Sequence, residues 1–280
     1  MLPLIHSGRT GGPSPVSQGT TLLTIRSPAW AAASYIRGMA LGTIIRDVYS
    51  KDERKDMRKV LQAFLGGGWN TAGIYCFWDP DTHDALYLGL AKNLPDRFAN
   101  HNGLKGTPGK GNKAKEVDTW FATHERLGYS IIVQSDVADD ATEGYTKRAE
   151  GQLIKGHEKA FGKIPPWNNM GGSVDGAAKA GDLTGAWFDF LTGRHDSLLV
   201  ARRTIRQLDD DATAEGKELD IMMARTQLSL AQFGSETTDH SIVKGLEYFR
   251  DTPVFGRTSE RHDELIEYLH EPAPHPELSD

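Results

Sequence analysis

The sequence predicts an α+β protein, with a β-hairpin and a third strand set among helices, and helical extensions on either side. Two runs rich in aromatic and aliphatic side chains, Ala72 to Trp78 and Ala85 to Leu90, flank the turn-forming stretch Asp79-Pro80-Asp81-Thr82-His83-Asp84, the pattern of a hairpin. A third run, Tyr129-Ser130-Ile131-Ile132-Val133-Gln134, is strand-like and lies between helical patterns. With 280 residues the chain can hold one sizeable domain with appendages or two small ones.

Residues 1–28 are rich in Gly, Ser, Thr and Pro and are expected to form a flexible arm. An alanine-rich stretch from Ala29 to Arg37 and a second helical pattern over Lys51 to Leu65 predict a helical extension spanning 29–70, stopped by Gly66-Gly67-Gly68. After the hairpin, Asn93 is placed to cap a short helix that runs to His101 and ends at Asn102-Gly103. A loop rich in Gly and Lys follows, and helices are expected over Asn112 to Leu127 and Thr142 to Ala160. Strand, strand, helix, helix, strand, helix is thus the order over residues 71–172. Beyond Gly172, helical patterns near 186–191, 198–208, 214–233, 241–249 and 259–270 predict an acidic helical domain over 173–270. The proline-rich tail, 271–280, is expected to be disordered. The chain has no internal repeat.

Hydrophobic residues make up 38% of the chain and charged residues 25%, the ordinary range for a globular protein. No apolar run approaches the roughly 20 residues of a membrane span, and no basic stretch followed by an apolar one marks a secretory signal. Cys76 is the single cysteine, so an internal disulfide or a cysteine-built zinc site cannot form. A cytoplasmic location is the expectation. The formal net charge of -6 is unevenly spread. Lys and Arg number 9 against 4 Asp and Glu in residues 1–70, 12 against 13 in 71–172, and 11 against 21 in 173–280. Residues 92–115 carry Lys92, Arg97, Lys105, Lys110, Lys113 and Lys115 against Asp96 alone, a stretch suited to a nucleic-acid backbone. The acidic C-terminal helices offer a surface for a protein partner or for a second copy of the chain.

Hydrolysing a phosphodiester requires a group that takes a proton from water, a cation that offsets charge on the phosphorane oxygens, and a stabilised leaving oxygen. Tyr75, Tyr87, Arg97, His101 and Glu150 are residue types able to do this. Singly, each has an ordinary structural role: strand aromatics, a surface charge, a residue at the helix C-terminal dipole, a solvent-facing helix position. Asn168 and Asn169 would likewise be turn residues. Their joint order carries the signal. Gly73-Ile74-Tyr75, Tyr87-Leu88-Gly89, Arg97, His101, Glu150 and Pro166-Trp167-Asn168 follow one another as in GIY-YIG nucleases, which this segment resembles. The stretch Tyr87 to Phe98 is also similar to the second motif and arginine helix of excision-repair members of that family. The resemblance covers about residues 71–172.

It implies a small three-stranded antiparallel sheet flanked by helices, with a shallow site on the sheet face. Tyr75 would be the general base or would orient the water, and Tyr87 would hold the scissile phosphate or assist the base. Arg97 would bind the phosphate, His101 would hydrogen-bond nearby, Glu150 would hold one Mg²⁺ or Mn²⁺, and Asn168 would order the site's edge. Gly89, Lys92, Lys105, Lys110 and Lys113 would contact the substrate, and the products would be a 5′-phosphate and a 3′-hydroxyl.

The chain departs from the family at three points. Leu90 stands where relatives often carry lysine, which leaves Lys92 to replace it. Two asparagines, Asn168 and Asn169, compete for one position, and no zinc finger or helix-turn-helix accompanies the domain. The loop 103–113 fits no G-x4-G-K-[ST] register, so a nucleotide-triphosphate site is not expected; the loop either follows a nucleic-acid backbone or is simply solvated. His157 lies seven residues from Glu150 without forming H-E-x-x-H and reads as a surface residue, whereas Trp120, Phe121 and Trp167 read as core. The leading expectation is a metal-dependent endonuclease acting on DNA. A catalytically weak binding module docked through its acidic C-terminus, and a nuclease acting on RNA, are the alternatives.

Overall fold

A computed structural model of the chain describes residues 41–67, 69, 71–105, 111–134, 141–181, 184–196, 200–231 and 259–271. Its frame is one antiparallel sheet of four strands in the order β1-β4-β2-β3. The strands are β1 (Leu41–Ser50), β2 (Gly73–Trp78), β3 (Ala85–Ala91) and β4 (Arg126–Gln134). The fold is therefore α+β, as the sequence indicates, but the sheet has four strands where three were expected. The additional strand comes from residues 41–50, inside the stretch read as a helical extension. Ile45 pairs with Ile131, Asp47 with Tyr129 and Tyr49 with Leu127, and Ile45, Asp47 and Tyr49 are all buried on one side of β1. That is the two-residue period of a strand.

Helices cover both faces of the sheet. On one face Ile44, Ile74, Cys76, Trp78, Leu88 and Ile132 pack against Ala149, Leu153 and Ile154 of the long helix Ala141–Phe161, and against Trp187, Phe188, Phe190 and Leu191 of the helix Trp187–Leu191. On the other face Ile45, Tyr49, Tyr75, Phe77, Tyr87, Tyr129 and Ile131 form a second core with the helices Arg54–Gly66 and Leu94–His101. In chain order the first four helices are α1 (Arg54–Gly66), α2 (Leu94–His101), α3 (Ala114–Trp120) and α4 (Ala141–Phe161). Helix α3 is shorter than expected because residues 121–125 turn and Arg126 already opens β4. Two helices follow that pack beside α4, α5 (Val174–Ala177) and α6 (Trp187–Leu191).

Residues past 172 complete the second core. Ile205 and Leu208 of α7 (Ile205–Asp210), Ala214, Ile221 and Met222 of α8 (Ala212–Ala231), and Leu265, Tyr268 and Leu269 of α9 (Ser259–His270) are buried in the same cluster as Met57, Leu61, Phe64 and Leu65 of α1. Thr204 and Gln207 form a reciprocal capping box that starts α7. Within that box Arg206 anchors the helix: the guanidinium bonds Asp47 of β1 at 2.9 Å and Glu53 at 2.7 Å, and the Arg206 backbone N–H donates to Asp47 at 2.9 Å. Asp47 is only 2% exposed, so this pairing is what makes a carboxylate tolerable inside the sheet. Glu218 is buried as well; it accepts hydrogen bonds from the Arg202 backbone N–H at 2.7 Å and the Tyr268 hydroxyl at 3.0 Å. Part of the acidity of the C-terminal third is thus internal.

The expected arm over 1–28, the alanine-rich helix from Ala29, the helix near 241–249 and the tail from residue 272 lie outside the described residues. Among the described residues no helix is long and apolar enough to cross a membrane.

Because Ile205 is fully buried against α1 and β1, Ile205→Ala is expected to cost about 3 kcal/mol, as much as a large-to-small change such as Ile131→Ala in the sheet itself. Urea unfolding of the two variants should give a single shared transition in each; a separate, unshifted transition for the sheet in Ile205→Ala would refute the common core.

Candidate active site

The two glycine-bearing tripeptides sit on neighbouring strands, and their glycines are there for want of space. Tyr75 on β2 pairs with Gly89 on β3, and the phenol ring lies across that glycine. A Cβ on Gly89 would meet Tyr75 Oη at 2.6 Å, Tyr75 Cζ at 2.8 Å and Tyr87 Cε1 at 2.9 Å. At the start of β2, a Cβ on Gly73 would stand 2.2 Å from the Ile132 carbonyl oxygen of β4. Both positions reject any side chain, and this lets β2 lie close to β4 while Tyr75 reaches over β3. The rings of Tyr75 and Tyr87 come within 5.8 Å of each other, with Phe77 and Tyr129 forming the adjacent wall.

Helix α2 delivers the next two groups. Asn93 caps it as expected, its side chain accepting the Asp96 N–H at 2.8 Å, and Gly103 ends the turn that follows with φ of 68°. Arg97 and His101 are four residues apart and face the same way. The Arg97 Nε donates to Tyr75 Oη at 3.0 Å, and its Nη2 donates to the Gly111 carbonyl at 3.0 Å. His101 Nδ1 accepts the Lys113 backbone N–H at 2.9 Å, so the ring proton of the neutral imidazole lies on Nε2, which donates to Tyr75 Oη at 2.7 Å. Tyr75 therefore takes two N–H donors on its oxygen, and its own O–H is left for the side facing Tyr87, which interacts with both Tyr75 and Arg97.

The charge states follow from burial and neighbours. Burial, then Arg97 and Lys113, push the His101 pKa down to about 3, because a protonated ring would be a third cation without solvent. Burial pushes the Tyr75 phenol well above its ordinary range, with Arg97 acting in the opposite direction. Tyr75 is thus a protonated phenol in this state, which fits the orienting role better than that of a ready base.

Glu150 comes from the other layer. It projects from α4 to the β3 edge, where its carboxylate accepts the Leu90 backbone N–H; burial raises its pKa, while that N–H, Lys147 and Arg97 oppose the rise. Among the described residues no group of three His, Cys, Asp or Glu side chains is placed to hold a metal ion. Glu150 offers one carboxylate, a donor type that suits a hard cation such as Mg²⁺, which keeps most of its waters and takes one or two carboxylates. Asn168 closes the same edge: its amide accepts the Leu88 N–H at 2.9 Å and donates to the Leu88 carbonyl at 2.8 Å. Asn169 is exposed, so Asn168 is the anchored member of the doublet.

The basic residues divide. Lys113 is 4% exposed, with Nζ 3.1 Å from Glu116 and 5.5 Å from the centre of the Tyr87 ring, so it is a wall of the site and not a solvated loop residue. Lys105 pairs with Asp96 at 3.0 Å, Lys92 is exposed at the end of β3, and Lys110 lies outside the described residues. His157, read as surface, is instead 5% exposed and packs on Phe161 and Phe188 with Nδ1 2.7 Å from the Lys163 carbonyl, apart from the site. Three groups at the site are backbone atoms with no sequence signal: the Lys113 N–H, the Gly111 carbonyl and the Leu90 N–H. Phe77 could have been found, since it alternates with Tyr75 along β2, whereas Tyr129 joins the same face only through its pairing with Phe77 from β4.

Comparison of the chain with family models, with curated proteins and with solved structures finds no match.

Gly89→Ala should push the Tyr75 ring aside, with a stability loss of about 1–3 kcal/mol from overpacking. A crystal structure of that variant with Tyr75 unmoved would contradict the crossing. For His101 the folded pKa lies below the ordinary 6.5, so the stability it confers is complete above that pH and is lost as pH falls toward about 3. Between pH 6.5 and 4.5 this one group should remove roughly 2–3 kcal/mol, and His101→Gln should show a correspondingly flatter urea midpoint over that window.

Proposed function

We propose that the chain is a metal-dependent endonuclease that hydrolyses DNA phosphodiester bonds. The observation that carries this reading is the Tyr75 hydroxyl held at hydrogen-bond distance by both Arg97 and His101, with Tyr87 beside it and the Glu150 carboxylate reaching the same sheet edge from the opposite layer. The resemblance of residues 71–172 to GIY-YIG nucleases supports the same chemistry.

Each residue then has a stated task. Arg97 is permanently charged and already aimed at the tyrosine pair, so it takes the non-bridging phosphate oxygens and offsets charge as the phosphorane forms. Neutral His101 fixes the Tyr75 oxygen through Nε2–H, while its own orientation is fixed by the Lys113 N–H. Tyr75 positions the attacking water in line with the leaving O3′, and Tyr87 steadies the phosphate from the next strand. Arg97, next to the Tyr75 oxygen, favours the phenolate once that phenol gives up its proton. Glu150 would hold Mg²⁺ or Mn²⁺, which when bound supplies charge neutralisation at the phosphate and the leaving oxygen. The bond from phosphorus to O3′ breaks as the bond to the water oxygen forms: the Tyr75 phenol passes its proton to solvent by way of Tyr87, its oxygen then takes the proton of the attacking water, and O3′ takes one from solvent, which leaves a 3′-hydroxyl and a 5′-phosphate. Asn168 keeps the edge strand from fraying where the substrate would lie. Lys92 and Lys105, at the rim, are suited to flanking phosphates and would add to the salt dependence of binding.

Purified protein incubated with labelled DNA and RNA side by side, with Mg²⁺ or Mn²⁺, should cleave DNA. Tyr75→Phe, Arg97→Ala and Glu150→Gln are each expected to reduce cleavage by at least about 100-fold with unchanged circular dichroism. Full-rate cleavage by Glu150→Gln would remove the metal role, and cleavage of RNA alone would reassign the substrate. A wild-type protein inert on both would end the nuclease reading.

A further inference from the structure

Beside the Asn168 clamp lies a groove of about 320 Å³ that the proposed chemistry does not use, lined by Lys115, Glu116, Thr119, Trp120, Thr123 and Trp167. Its volume is at the lower end of small-ligand sites. The sequence suggested core roles for Trp120, Phe121 and Trp167; Phe121 is buried, but Trp120 and Trp167 are each only partly buried and meet edge to face, 6.1 Å apart at 75°. The two indoles make an apolar corner. Trp120 is locked in place because its Nε1 donates to the Arg126 carbonyl at 2.7 Å and His124 stacks on it at 3.7 Å with the rings 8° from parallel. Trp167 is fixed by its backbone N–H, which donates to the Leu86 carbonyl at 2.8 Å, and by ring contact with Phe77 at 6.2 Å. Rigid flat surfaces of this kind lose little entropy when another ring stacks on them.

The groove joins the candidate active site on two sides. Helix α3, which carries Lys115, Glu116, Thr119 and Trp120, begins next to Lys113, whose N–H holds His101 and whose ammonium sits over Tyr87. The negative charge of Glu116 is taken up by that same Lys113 at 3.1 Å. On the other side Trp167 immediately precedes Asn168, the residue that binds both backbone groups of Leu88. Lys115 and Thr119 lie one turn apart at the exposed lip. The corner thus suits a flat apolar ring, and Lys115 at its lip suits a negative charge.

We propose that the groove is a nucleobase subsite, which takes an unpaired base of the strand being cut, stacked in the Trp120–Trp167 corner, with Lys115 on an adjoining phosphate. This rests on the nuclease reading for the identity of the strand. A base inside a duplex has both faces covered, so the subsite selects DNA that is single-stranded, gapped or flapped next to the scissile bond. Stacking is tolerant of base identity, so the preference is for substrate structure over sequence.

The test is binding by the full chain in EDTA, where no cleavage occurs. Two fluorescent single-stranded oligonucleotides of equal length are compared, one with all its bases and one abasic at a run of central positions, along with a 2-aminopurine version that reports stacking. Wild type should bind the base-bearing strand about 5- to 100-fold more tightly than the abasic one and quench 2-aminopurine. Trp120→Leu should abolish that difference, and Lys115→Ala should weaken both strands alike. Thr119→Phe, at an exposed position, fills the corner without removing a core residue and should act as Trp120→Leu does. Equal affinity of wild type for the two strands, or an unchanged difference in both Trp120→Leu and Thr119→Phe, overturns the subsite. Saturation by an apolar peptide with no response to either strand makes the groove a protein site and overturns it too. Divalent-dependent cleavage of DNA alongside such results leaves the nuclease reading standing without the groove. Base discrimination in a protein that cleaves nothing keeps the groove and ends the nuclease reading.

Discussion

Tyr75 lies across β3 because Gly89 presents no Cβ, and the contacts of Arg97 and His101 depend on that crossing. The phenol oxygen arrives where the α2 side chains Arg97 and His101 can both donate to it. His101 can donate only from Nε2, since Nδ1 is filled by the Lys113 N–H, and this in turn fixes where the 111–113 segment returns to the sheet. A chain of buried polar groups of this sort is costly unless each member is satisfied, and these are. Gly73 does the same for the far side of β2, where it allows close approach to Ile132 of β4. Two absent side chains thus fix the position of a central strand between its neighbours.

The electrostatic logic is one of restrained charge. Arg97 and Lys113 are both close to His101, and a charged imidazole between them would have to be paid for without water, so the ring stays neutral and serves as a donor. Tyr75 stays a phenol for the related reason that burial disfavours the anion more than Arg97 favours it. A phosphate brought to Arg97 would change this balance, because its charge would compete with Tyr75 for the guanidinium. Lys113, with Glu116 at 3.1 Å, would hold the tyrosine side of the site in place while Arg97 adjusts. The site is therefore held by hydrogen bonds among neutral groups and two tied cations, Arg97 on Tyr75 and the Gly111 carbonyl, and Lys113 on Glu116.

What the sequence disclosed, and what it hid, divide along a physical line. The hairpin, the Asn93 cap and the α2 helix were legible because turn residues, caps and apolar runs act locally. The tyrosines, Arg97 and His101 were legible as a set by residue type and order. Strand β1 was not, because Arg46 and Asp47 interrupt its apolar run, and the partner that makes Asp47 tolerable, Arg206, is 159 residues away. The burial of Lys113 was hidden for a related reason: a lysine in a Gly-rich basic loop looks solvated, and only the fold reveals that its ammonium sits over the Tyr87 ring and meets Glu116. His157 was misplaced likewise, by a core that Phe188 completes from outside the helix. Backbone groups such as the Leu90 N–H were beyond reach, since every residue but proline carries one.

The proposed site residues all fall within residues 71–172, yet the structure has no seam at the end of that segment. Immediately after Glu150, Gly151 lies so close to the following segment that a Cβ would stand 2.4 Å from the Ser173 carbonyl oxygen. The helix that carries the proposed metal ligand is therefore held, backbone against backbone, by residues just beyond that segment. Further on, Ile205 and Leu208 bury against α1, and Arg206 neutralises Asp47 of β1, which pairs with β4, which pairs with β2 and so with Tyr75. The acidic C-terminal third is thus part of what positions both halves of the site, the carboxylate through α4 and the tyrosine through the sheet. A partner that bound this region would act on the site through packing before it acted through charge, because the acidic side chains nearest the core, Glu218 above all, are already engaged inside it.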